Sequence, residues 1–65
     1  MQKIIEKLQK EIIRCENRIK WAKVLQKSSK SKNVKLLMQL EIELHIFKIE
    51  TAKISISFLK RVSLN

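Results

Sequence analysis

Between Val34 and Val62 the chain is apolar on two opposite sides at once. Wound as a helix at about 100° per residue, this stretch puts Leu37, Leu40, Leu44, Phe47, Ile54, Phe58 and Val62 on one side and Met38, Ile42, Ile46, Ile49, Ala52 and Ile56 on the other. Glu41 and Lys48 run along one boundary between the two faces, and Gln39, Glu43, Glu50 and Arg61 along the other. One neighbouring helix covers one stripe, so a helix with two belongs inside a bundle. The first face is assigned to residues 1 to 27 of the same chain. The second face, Met38, Ile42, Ile46, Ile49, Ala52 and Ile56, is expected to meet another chain.

Residues 2 to 27 read as that covering helix. Ile5, Leu8, Ile12, Cys15, Ile19 and Ala22 recur at alternating steps of three and four, the seam spacing of helices packed almost parallel to a neighbour. Ile4 widens the seam, while Trp21, Val24 and Leu25 fall off it. Glu6 with Lys10, Lys7 with Glu11 and Glu16 with Lys20 are opposite charges one turn apart, each worth a few tenths of a kcal/mol to an exposed helix. The interval from Ser28 to Asn33 is the one break in hydrophobicity, and its serines and asparagine supply turn and N-cap oxygens.

The expected fold is therefore all-α: a single domain over residues 1 to 65, with a helix from about 2 to 27, a basic loop at 28 to 33 and a helix from about 34 to 62. At about 39 and 44 Å the two rods match closely enough to lie antiparallel, with residues whose numbers sum to about 61 at one level. Two such hairpins joined through the second helix make a four-helix bundle. Strand is the competing reading, because apolar residues hold the even positions from Leu36 to Ile46 and alternate again from Ile54 to Phe58. The alternation fails at Leu37, Phe47 and Leu59, and Leu, Met, Gln, Glu and Lys favour helix. Thr51 interrupts the first apolar face and marks a position for a kink or fray.

Size makes association the natural outcome. A domain of 65 residues buries only about 60% of its unfolded surface, and chains this small usually need a disulfide, a metal or a second subunit. Cys15 is the single cysteine, so no internal disulfide forms, and a reducing compartment is expected. Glycine and proline are absent, which removes the strongest turn and strand-end signals. Met1 to Leu8 enters charged helix with no apolar signal-peptide core, and Glu41 and Glu43 interrupt the apolar run near Leu36. A cytoplasmic protein with no membrane partner is expected. Its abundant Lys, Ile, Ser and Asn fit an AT-rich coding sequence, as in many phages and low-GC bacteria.

Catalysis is not expected. One His, one Cys and no Asp leave no nucleophile, base and orienting third group, and a helix turns Glu41 and Glu43 away from each other. Cys15 and His45 fall at nearly the same height of the hairpin. Their directions differ, however, with Cys15 on the seam and His45 beside the opposite face, so no metal site and no cofactor are expected.

The charge points to an anionic partner. Fifteen Lys and Arg against six Glu give +9, of which residues 1 to 32 carry +7 and residues 33 to 65 carry +2. On the outer side of the first helix, Lys3, Lys7, Lys10, Arg14 and Arg18 form one stripe, continued by Trp21 and then by Lys30 and Lys32 of the loop. Such a stripe meets successive phosphates, and an indole offers a stacking face to an unpaired base. The leading expectation is a small regulatory or accessory homodimer that binds nucleic acid through this face. The alternative is a protein-interaction module, an inhibitor or small subunit of phage or mobile-element type, that docks on a larger protein through the second apolar face of the second helix.

Overall fold

A computed structural model describes residues 2–64, and the ends of the expected domain, Met1 and Asn65, lie outside them. Helix α1 runs over Gln2–Ser28 and helix α2 over Lys32–Leu64, and the two pack against each other along their length. There is no strand among the described residues. The hairpin is a rod of 53 × 14 × 11 Å.

The connection is three residues rather than six, because serines close both helix ends. Ser28 Oγ donates to the Val24 carbonyl at 2.9 Å, and Ser29 N donates to the Leu25 carbonyl at 2.9 Å. Ser31 then caps α2: its Oγ accepts from Val34 N at 3.4 Å, and its carbonyl accepts from Lys35 N at 3.1 Å. A capped Ser31 lets Lys32 and Asn33 start the helix. No described residue takes a positive φ, so the reversal needs no glycine.

The seam of α1 is the expected one. Ile5, Cys15 and Ala22 are buried, with Leu8, Ile12 and Ile19 half-buried between them. Cys15 and Ala22 are 1% and 0% exposed. The register also follows expectation, since Arg18 meets Glu41 and Gln26 meets the Lys35 carbonyl.

The side of α2 that faces α1 is opposite to expectation. Ile42 and Ala52 are 5% exposed within the single hairpin, and Met38, Ile49 and Ile56 are half-buried beside them. The face assigned to another chain is thus the face that closes the hairpin. Ile46 alone of that set is exposed, at 43%. The face assigned to α1 is bare: Leu37, Leu40, Leu44, Phe47, Ile54, Phe58 and Val62 are all exposed, and Leu36 joins them. Side-chain size accounts for the exchange. Cys15 and Ala22 on α1 and Ala52 on α2 form low ground over which two helices approach closely, whereas Phe47 and Phe58 would hold them apart.

Helix α2 continues through Thr51 without interruption. The Thr51 hydroxyl donates to the Phe47 carbonyl at 2.9 Å, which satisfies it inside its own helix.

Candidate functional site

Two exposed faces carry the chemistry of this hairpin, and both are set by the register of the seam. The first is the outer side of α1. Its seam positions turn Lys3, Lys7, Lys10, Arg14 and Arg18 to solvent, where all five are exposed. Lys30 in the turn and Lys32 at the start of α2 are exposed as well.

Two of these cations have acidic neighbours. Arg14 Nη1 lies 3.4 Å from Glu11 Oε2 one turn back, and Arg18 Nη2 lies 3.4 Å from Glu41 Oε1 on α2. Exposed pairs of this kind contribute little and exchange readily. The Arg18 guanidinium also lies 5.3 Å from the centroid of the Trp21 ring, within the range of a cation–π contact. Trp21 itself is 51% exposed. The stripe therefore ends in an indole with an arginine over it rather than in a bare aromatic platform. Ile13 and Val24, also exposed on α1, interrupt the polar surface.

The second face is the bare side of α2. An open groove at the free end of the hairpin joins it to α1, with Ile4 and Leu8 on one wall and Ile54, Phe58 and Leu59 on the other. The opposite groove of the hairpin is charged instead, where Glu16, Lys20 and Lys23 face Glu50 and Lys53 across Ile19, Ile46 and Ile49. Ile46, expected at a chain interface, borders this charged groove.

The polar groups along the seam are engaged. Gln26 Nε2 donates to Gln39 Oε1 at 2.9 Å and to the Lys35 carbonyl at 3.3 Å, tying α1 to α2 near the turn. Because α2 presents the other face to α1, His45 lies half-buried on the seam side instead of beside the opposite face. Its Nδ1 is 2.7 Å from the Glu41 carbonyl. A carbonyl only accepts, so the proton is on Nδ1. The Cys15 thiol is 3.9 Å from Glu11 Oε1. Burial and then the Glu11 carboxylate push its pKa up, against a smaller lowering by Lys48 and Arg14. A thiol held in its neutral form is a poor nucleophile. Among the described residues no group of three or more His, Cys, Asp and Glu is placed to hold a metal ion, and no helix is long and apolar enough to cross a membrane.

The bare face was partly legible in the sequence, because its spacing was evident and only its partner was misassigned. The Arg18–Trp21 contact follows from their spacing of three on one helix. The Arg18–Glu41 pair had no comparable signal, because it depends on which side of α2 turns to α1.

Comparison with protein-family models, with curated proteins and with solved structures gives no match.

Proposed function

We propose that this hairpin binds an anionic partner, the phosphate backbone of a nucleic acid, through the outer side of α1 and the adjoining turn. The observation that carries the reading is the stripe of five exposed cations, Lys3, Lys7, Lys10, Arg14 and Arg18. It extends over about 22 Å of helix, with Glu6 and Glu11 along its two edges. The chain's +9 charge raises the local concentration of any polyanion and speeds its encounter. The ion pairs at Arg14 and Arg18 are no obstacle, because a phosphate replaces an exposed carboxylate at little cost. In this role the protein is a binding module, and α2 serves to hold α1 straight.

The test is a titration of duplex and single-stranded nucleic acid over a range of salt. With about five phosphates engaged, counterion release gives a slope of log affinity against log salt of roughly −4 to −5 for a duplex and a shallower one for a single strand. Absence of binding at low salt would make the stripe an ordinary solvated face. Docking on a larger protein, as an inhibitor or small subunit, would then become the reading.

A further inference from the structure

The apolar side of α2 is a helical seam with nothing against it. Leu37, Leu40, Leu44, Phe47, Thr51, Ile54 and Phe58 follow one another at steps of three and four, the spacing by which one helix packs knobs into the holes of another. Six of the seven are large apolar side chains, all exposed; Phe47 and Ile54 are 66% and 71% exposed. The seam is about 32 Å long. Its one polar member is already satisfied, since Thr51 Oγ1 donates to the Phe47 carbonyl at 2.9 Å. Burying the seam therefore leaves no hydroxyl unpaired.

We infer that a second copy of this chain covers this seam, the two α2 helices packing together about a two-fold axis to make a four-helix bundle. Three observations select that occupant.

The first is area. The hairpin exposes 5472 Å², whereas a compact monomer of its mass exposes about 4,300 Å². The excess, roughly 1,100 Å², is enough for one side of a standard protein interface, about 800 Å². The shape says the same, because the radius of gyration is 15.1 Å against about 11 Å for a compact chain of this length.

The second is self-complementarity. A two-fold interface uses the same patch on both partners, and a straight seam of large apolar side chains at heptad spacing packs against its own copy.

The third is charge. Two chains of +9 repel, and they meet at least cost where the edges carry both signs. The seam is edged by Glu43, Glu50 and Arg61 on one side and by Glu41 and Lys48 on the other. Packing through α2 keeps the basic outer sides of α1 away from the interface. An anionic membrane surface is a poorer match, since three of the five charges beside the apolar stripe are carboxylates, Glu41, Glu43 and Glu50, where an interfacial helix carries lysine and arginine.

This inference does not depend on what α1 binds. Its test is sedimentation equilibrium of the full chain over a concentration series, with far-UV circular dichroism on the same samples. The wild type is expected to sediment at twice the chain mass. Leu44→Glu and Phe47→Glu each place a carboxylate in the seam and should weaken association by roughly a hundredfold or more. Val24→Glu, at an exposed site on α1, should leave the dimer intact. Should the seam variants also lose helix, dilution of the wild type would lose it too, as coupled folding and association requires. Vesicles of phosphatidylglycerol and phosphatidylcholine provide the competing arm. A wild-type monomer at every concentration overturns the inference, whether or not it binds those vesicles through Leu44 and Phe47. So does an assembly that survives both seam substitutions.

Discussion

Arg18 and Glu41 meet across the hairpin with Nη2 and Oε1 3.4 Å apart, and this contact links the cationic side of α1 to α2. Arg18 also lies over Trp21, so one side chain touches the acidic group that balances it and the aromatic group it covers. The pair is exposed and holds the helices together only weakly. Glu41→Gln should lower stability by less than about 1 kcal/mol in a urea melt. If α1 binds phosphates, the same change should tighten duplex binding at low salt, because Arg18 no longer has a competing carboxylate.

The core makes the opposite demand. Ile42 is buried against α1, while Ile46 borders the charged groove and is half open to water. Ile42→Ala should cost about 2 to 4 kcal/mol, and Ile46→Ala clearly less. Urea unfolding at one fixed protein concentration measures both, since association adds to apparent stability. An equal loss at the two positions would contradict the facing of α2 described above.

That facing is the part of the fold the sequence left open. The α1 seam was readable because only one stripe of α1 is apolar, and the burial of Ile5, Cys15 and Ala22 follows from it. In α2 both stripes have helical spacing, and spacing alone does not rank them. What ranks them is volume at the contact, with Ala52 small where it meets the level of Leu8 and Cys15 and Ala22 small further along the seam. The same two-sidedness explains the strand-like alternation from Leu36 to Ile46. Successive even positions on a helix lie about 200° apart, so a helix apolar on opposite sides alternates as a strand does. The turn came out shorter than its composition suggested, because Ser28 and Ser31 work as helix ends and not as loop.

Cys15 gives a pH dependence whose sign is fixed by its burial. The thiol is held above its ordinary pKa, chiefly by loss of solvent and then by Glu11. The unfolded chain therefore releases its thiol proton at a lower pH than the folded one. Below the ordinary thiol range both states are protonated and the contribution to stability is complete; it is lost as pH rises from that range through the folded-state value. Urea midpoints should fall over that interval more steeply for the wild type than for Cys15→Ala, which has no thiol to ionise. Alkylation of Cys15 by iodoacetamide at neutral pH should be slow and should become rapid in urea.

The binding face gives the most discriminating experiment, because its cations and its aromatic group should fail differently. Arg14 is exposed and, among the described residues, its ion pair is with Glu11 one turn away, so its loss does not disturb the seam. Arg14→Ala should reduce the salt slope by about one on duplex DNA or RNA, with helix content unchanged by circular dichroism. Trp21 adds no counterion release, and a duplex offers no free base face to an indole on this surface. Trp21→Ala should therefore leave the duplex slope unchanged and weaken a single strand by about 1 to 3 kcal/mol, the range for one stacked base. Arg18 already lies over the indole, so the stacking base must take the free face or displace the guanidinium. For that reason Arg18→Ala should cost a single strand less than a duplex: each loses one phosphate contact, but the single strand gains access to a bare ring. A Trp21→Ala variant that binds both ligands as the wild type does would mean that Trp21 takes no part in binding, and that the stripe acts through charge alone.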